Sequence, residues 1–181
     1  MSLTRKRIIS TLAALLALFV LVPAAWAHPL GNFTISRYTR LELQPEAVEL
    51  LYIIDMAEIP TFQERPQIDS SGDGVIDAAE AETYASQQAH TLAQNLSLMV
   101  NSQPVVVTPQ SWTIEFPPGQ GDLPTMRLEV TATAVLPPTD QLWQLDYSDN
   151  NFPDRLGWQE TVVTAVPDLN ILQSNVPTED V

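Results

Sequence analysis

Within a stretch of twelve residues, from Asp69 to Glu80, oxygen donors recur at close intervals. The donors are the side chains of Asp69, Ser71, Asp73, Asp77 and Glu80 and the main-chain carbonyl of Val75. Calcium is a hard cation that is bound by about seven oxygens, and a glutamate can supply two of them. The spacing therefore predicts a calcium site, in which Asp77 acts through a water molecule.

These offsets are those of an EF-hand-type loop, with Ser71 as a tolerated substitution at the third position. Gly74 stands where the chain needs a positive φ, and Ile76 is the apolar residue that packs the loop inward. An acidic turn in which Asp77 caps a helix and Glu80 closes a capping box would explain two of the residues without any metal. Magnesium fits less well, because it prefers a smaller octahedral shell and keeps its waters. Since EF-hands usually pair and this loop is single, we expect a structural clip rather than a sensor.

His28 is the candidate ligand for a transition metal. If the chain is cleaved after Ala27, His28 carries the α-amine and an imidazole on one residue, which is a bidentate nitrogen ligand for nickel, cobalt or copper. Pro29 has no amide hydrogen and cannot supply a third nitrogen from the backbone. His90 is the only other histidine, and it would have to lie nearby to complete a site.

Two further groups of residues have a simpler structural explanation. Five Asp and Asn residues cluster between predicted strands without the EF-hand spacing: Asp146, Asp149, Asn150, Asn151 and Asp154. Asx turns explain this segment, and a second cation site is the alternative. Three tryptophans fall in predicted strands, where core packing is favoured over a ligand platform: Trp112, Trp143 and Trp158. Because the sequence contains no pattern typical of a catalytic site, we expect no enzymatic activity.

The first 27 residues have the features of a secretory signal peptide. A basic stretch at 5–7 precedes an apolar run from Ile8 to Val22, and Ala25-Trp26-Ala27 suits a cleavage site for small residues. The run is shorter than the roughly 20 residues that span a bilayer. We therefore expect export to the periplasm or the extracellular space, and a mature chain that does not span a membrane.

The charge of the mature chain excludes some partners. Three of the eight Lys and Arg residues precede residue 28 and none of the 22 Asp and Glu residues do, which leaves five against 22 and a net charge of −17. Nucleic acid and anionic lipid both require basic surface, so we do not expect either as a partner. The absence of cysteine excludes disulfides, thiol catalysis and thiolate metal sites.

The elements that hold the calcium loop follow from periodicity. The segments Phe33–Leu43 and Val48–Met56 predict a hairpin whose second strand is central, because it is apolar on both faces. A short helix over Ile59–Glu64 is predicted to end before Pro66, and a longer helix to run from Ala78 to about Leu96. Six more strands are predicted at Leu98–Asn101, Val105–Thr108, Trp112–Phe116, Thr125–Leu136, Leu142–Tyr147 and Trp158–Ala165.

This pattern predicts an α+β fold that is mainly β, an antiparallel sandwich or a partly open barrel with an inserted EF-hand-like helix-loop-helix at about 59–97. One domain is expected over residues 28–174, followed by a flexible tail at 175–181.

Four segments carry a resemblance to a known family. They are His28-Pro29-Leu30-Gly31-Asn32-Phe33-Thr34, Asp55-Met56-Ala57-Glu58-Ile59-Pro60-Thr61-Phe62-Gln63-Glu64, Pro118-Gly119-Gln120-Gly121 and Arg155-Leu156-Gly157-Trp158-Gln159-Glu160. Over nearly all of the mature chain, the sequence resembles the exported N-terminal domain found ahead of the membrane part of bacterial nickel/cobalt transporter-like proteins.

The resemblance implies an accessory role beside a membrane metal transporter. Those relatives continue into a multi-helix membrane domain, whereas this sequence stops at Val181, so we expect no transport by this chain alone. Two functions remain open: a non-enzymatic calcium-binding domain, or a carrier or sensor of nickel, cobalt or copper that uses His28.

Overall fold

The computed structural model describes residues 30–138 and 142–179. Two helices, α1 (Glu58–Ile68) and α2 (Ala78–Gln94), are inserted between strands, and 3-10 helices lie at Leu30–Phe33 and Gln120–Asp122. The strands are β1 (Ile35–Leu43), β2 (Ala47–Met56), β3 (Leu96–Val100), β4 (Gln103–Val105), β5 (Thr108–Glu115), β6 (Met126–Val135), β7 (Leu145–Asp149) and β8 (Gln159–Ala165). The predicted segment 1–27 and His28 lie outside the described residues.

The strands of the described residues form two sheets, in the orders β5-β6-β2-β1-β8 and β4-β3-β7. One hydrophobic core takes in residues of both sheets and both helices. The predicted α+β fold of mainly β, sandwich-like type is therefore confirmed, and the arrangement is not a closed barrel. Within these residues, no helix is long and apolar enough to cross a membrane.

The predicted hairpin is confirmed, with β1 antiparallel to β2 from Ile35 opposite Met56 to Leu43 opposite Val48. β2 is the middle strand of the larger sheet, as its apolar run predicts. Tyr52, Ile53 and Ile54 are consecutive and all buried, which requires cover on both faces of this strand.

The ladder between β1 and β8 departs from the antiparallel prediction, because these two strands run parallel, with Arg37 opposite Gln159. The chain passes through β7 in the smaller sheet before it returns, and such a long connection permits a parallel neighbour. Gly157 at the start of this return crosses close to β1, since a Cβ added to it would clash with the carbonyl oxygen of Ile35.

Two predicted boundaries are wrong. α1 does not end before Pro66 but continues through it to Ile68, whose side chain is buried. Proline within a helix lacks the amide hydrogen bond and crowds the carbonyl four residues earlier, and the burial of Ile68 offsets this cost. The predicted strand Val105–Thr108 is divided between β4 and β5, because the chain crosses from the smaller sheet to the larger one at this point.

Candidate functional site

The candidate calcium loop connects the end of α1 to the start of α2. Asp69 is the C-cap of α1, and its amide donates to the carbonyl of Arg65 at 2.8 Å. Asp77 is the N-cap of α2, and its Oδ1 accepts from the amides of Ala79 at 2.8 Å and Glu80 at 2.9 Å. The predicted capping box is present, because Glu80 Oε2 accepts in return from the amide of Asp77 at 3.2 Å.

The carboxylate of Asp69 organises the first half of the loop. Its Oδ1 accepts from the amide of Gly72 at 2.8 Å, and its Oδ2 accepts from the amide of Gly74 at 2.9 Å. Gly74 has a φ of 86°, in the region that favours glycine. The chain is thereby curled around the Asp69 side chain.

Glu80 reaches across the loop from α2 and closes it. Its Oε1 accepts from the amide of Ser71 at 2.8 Å, while its Oε2 is held by the amide of Asp77. The hydrogen bond from the Ser71 amide, followed by the one from Asp77, lowers the pKa of the Glu80 carboxyl below its usual value. The carboxylate is therefore in the charged form that a cation requires.

The remaining donors lie between these two anchors. Asp73 Oδ1 accepts from the amide of Val75 at 2.8 Å, and the hydroxyl of Ser71 donates to Asp69 Oδ1 at 3.3 Å. Asp73 Oδ2, Asp77 Oδ2 and the Val75 carbonyl accept no hydrogen bond from the described residues. Oxygen lone pairs on three of the predicted ligands thus remain available.

The carboxylates do not converge on one point in this conformation. Among residues 30–138 and 142–179, no three His, Cys, Asp or Glu side chains lie close enough together to hold a metal ion. Their oxygens instead bond to amides of the loop itself. The donor chemistry nevertheless suits calcium, since all six predicted ligands offer oxygen and no nitrogen or sulfur. Ligation of a cation would require side-chain rotations within this exposed loop.

Three contacts attach the loop to the rest of the domain. Ile76 is partly buried against the hydrophobic core, as predicted. The hydroxyl of Tyr84 on α2 donates to Glu64 Oε2 on α1 at 3.1 Å, which joins the two helices. The guanidinium of Arg65 donates to the carbonyl of Gly74. Sequence reasoning missed Arg65, although a basic residue in the last turn before an acidic loop is a recognisable signal.

His28, the predicted transition-metal ligand, lies outside the described residues. His90 is exposed on α2, and its ring lies 5.8 Å from that of Trp112, measured between centroids. The indole nitrogen of Trp112 donates to Glu82 Oε1 at 2.8 Å. His90 thus takes part in a surface cluster between α2 and β5.

The acidic segment that begins in β7 and continues after it has a structural role. Asn151 is buried and the side chain of Asp149 is 1% exposed. The amide of Asn151 donates to Asp149 Oδ1 at 2.9 Å in the predicted Asx-turn manner. Asp149 Oδ2 lies 3.4 Å from Arg37 Nε and accepts from the hydroxyl of Tyr52 at 3.0 Å. The ion pair joins β7 of the smaller sheet to β1 of the larger one.

The three tryptophans differ in burial. Trp112 lies in β5 and Trp143 precedes β7, and both are partly buried against the core. Trp158 contradicts the prediction of core packing, because it precedes β8 and is 81% exposed. Its amide and carbonyl bond to β1, and this edge position leaves the ring outside the sandwich.

Comparison of the chain with protein-family models, with curated proteins and with solved structures gave no match.

Proposed function

We propose that this protein is an exported, non-enzymatic calcium-binding domain and that it serves a metal-transport system as an accessory module. The observation that carries the calcium assignment is the hydrogen-bonded curl of the loop around Asp69, closed by Glu80. The transport setting rests on the resemblance of the sequence to the exported domain of nickel/cobalt transporter-like proteins.

The role of the ion is that of a structural clip. At the affinity of extracellular calcium modules, roughly 0.1 to 1 mM, a calcium concentration of about 1 mM adds about 0.4 to 1.4 kcal/mol to the free energy of unfolding. That amount stabilises a loop without switching the fold. α1 and α2 are moreover tied to each other through Glu64 and Tyr84, which disfavours a sensor-like opening.

Calorimetric titration with calcium tests the proposal. The wild-type protein is expected to bind one calcium ion, and Glu80→Ala to abolish the binding, because Glu80 supplies two of the ligand oxygens. Glu46→Ala is the matched control, since Glu46 is an exposed glutamate in the turn between β1 and β2. Absence of heat and of a thermal shift at millimolar calcium contradicts the calcium function.

The same titration with nickel and copper addresses the alternative function through His28. A carrier or sensor of these metals binds them tightly, and it loses that binding when one residue is added before His28. Calcium binding stays unchanged in that variant, because the two sites share no ligands.

A further inference from the structure

Arg65 connects the end of α1 to the middle of the calcium loop. Its side chain is partly buried, and its Nη2 donates a hydrogen bond to the carbonyl of Gly74, the sixth residue of the loop. Its own carbonyl accepts from the amide of Asp69, the first residue of the loop, at 2.8 Å. One residue of the helix therefore contacts both the beginning and the apex of the loop.

The Gly74 carbonyl belongs to a peptide group that is held at both ends. The carbonyl of Gly74 and the amide of Val75 form one rigid plane, in which the C=O and the N–H point in opposite directions. The Val75 amide donates to Asp73 Oδ1 at 2.8 Å, while Arg65 holds the carbonyl. The preceding peptide is also fixed, through the Gly74 amide and Asp69 Oδ2. Rotation of the apex of the loop is thus opposed from two sides.

Two predicted calcium ligands flank this peptide group, namely the Asp73 carboxylate and the Val75 carbonyl. We propose that Arg65 is a positioning residue of the calcium site, which restricts the backbone between these two ligands before a cation arrives. The inference rests on the proposed calcium function.

The charge of Arg65 acts in the opposite direction to its hydrogen bond. A guanidinium beside the loop repels calcium, so removal of the charge alone tightens binding. Loss of the hydrogen bond frees the peptide and weakens binding. Salt separates the two effects further, because a higher ionic strength screens the repulsion between exposed charges more than it weakens a hydrogen bond to a carbonyl. Weaker calcium binding after loss of the Arg65 side chain therefore identifies a positioning role, and tighter binding identifies charge repulsion alone.

Calorimetric titration of Arg65→Met with calcium in 0.1 M and 0.5 M KCl is the test. We expect binding weaker than in the wild type at both salt concentrations. The loss is expected to be about fivefold in 0.5 M KCl, where the charge is more strongly screened and the loss of one hydrogen bond dominates, and smaller in 0.1 M KCl. Arg65→Lys is expected to bind more tightly than Arg65→Met, because an ammonium group can still donate to the carbonyl. Arg155→Met removes the same charge from a side chain that bonds to Gln63 and not to the loop, and it should leave the affinity within about twofold.

A second measurement tests the positioning without calcium. In a chelator, amide hydrogen exchange at Val75 is expected to be faster in Arg65→Met than in the wild type, while amides in the middle of β2 exchange at the same rate in both proteins. Unchanged exchange at Val75, or calcium binding by Arg65→Met as tight as in the wild type, overturns the proposal. A wild type that binds no calcium overturns the calcium function, and the exchange result then still decides whether Arg65 fixes the loop.

Discussion

At the scale of single residues, the most consequential contacts are those of Asp149. The Asp149 side chain is 1% exposed, and it pairs with Arg37 and accepts from Tyr52 and Asn151. Asn151 extends the cluster, since its Nδ2 donates to the carbonyl of Leu92 in α2 at 3.2 Å. A buried charge with this many partners fixes how the two sheets and α2 meet.

Asp149→Ala is expected to lower the free energy of unfolding by about 3 to 5 kcal/mol, because it leaves the Arg37 guanidinium buried without its counterion. Urea unfolding measures the change. Asp146→Ala on the same strand removes an exposed carboxylate, and its effect should stay within about 0.5 kcal/mol. Equal stability of the two variants contradicts the assignment of Asp149 as the centre of the cluster.

At the scale of elements, the start of α2 has two functions in the proposed calcium domain. Asp77 caps the helix through the amides of Ala79 and Glu80, and it is also the predicted water-mediated ligand. The capping box forms from the same residues that the calcium spacing requires. The metal-free explanation of Asp77 and Glu80 is therefore compatible with the calcium explanation.

The variant Asp77→Ala, compared with Asp73→Ala, distinguishes the helix-capping role of Asp77 from its predicted role as a calcium ligand. In a chelator, this variant should lose about 1 kcal/mol of unfolding free energy through the missing cap, whereas Asp73→Ala should lose less than about 0.5 kcal/mol. In calcium titrations, Asp73→Ala is expected to weaken binding more than Asp77→Ala does, because Asp73 is predicted to bind the ion directly and Asp77 through water. If Asp77→Ala has the larger effect both on stability in chelator and on calcium affinity, the assigned ligand roles are contradicted.

At the scale of the whole molecule, burial keeps three tyrosines neutral. Burial is the main cause that raises the pKa of Tyr52, Tyr84 and Tyr147, and nearby carboxylates add to the effect. The neutral phenol is favoured in the folded protein. In the unfolded chain a tyrosine titrates at its ordinary pKa of 10.0.

The stability of the folded protein is therefore expected to fall above about pH 10. Below that pH the stabilisation that comes from the three neutral tyrosines is fully present. As the pH rises from about 10 towards their raised pKa values, the free energy of unfolding falls by up to about 1.4 kcal/mol per pH unit for each tyrosine. Urea unfolding at intervals between pH 8 and 11 measures the slope. An unfolding free energy that stays level over this range contradicts the prediction.

The proposed export predicts that the mature protein begins at His28. Mass spectrometry of material from the periplasm or the culture medium reads the N-terminus directly. An intact segment from Met1 to Ala27 would remove the transition-metal alternative, since it blocks the terminal amine. The calcium site at Asp69 to Glu80 would be unaffected.

Local patterns in the sequence determined the hairpin of β1 and β2, the start of α2, and the capping box formed by Asp77 and Glu80. These features depend on residues within about a dozen positions of one another. In the loop, carboxylate side chains bond to amides nearby in the sequence, and such bonds do not require distant parts of the chain. The hydrogen bonds of Asp69 and Asp77 span five residues or fewer. Such contacts are encoded by spacing.

Only the tertiary structure decided the parallel pairing of β1 with β8, the continuation of α1 through Pro66, the exposure of Trp158 and the burial of Asp149. Each depends on a surface supplied by residues far away in the chain. Arg37 and Asp149 are 112 positions apart, and no periodicity links them. Arg65 lies between these cases, because it is close to the loop in sequence, yet its contact with Gly74 depends on how α1 ends. Burial and long-range pairing are collective properties of the packed chain, which is why local patterns could not predict them.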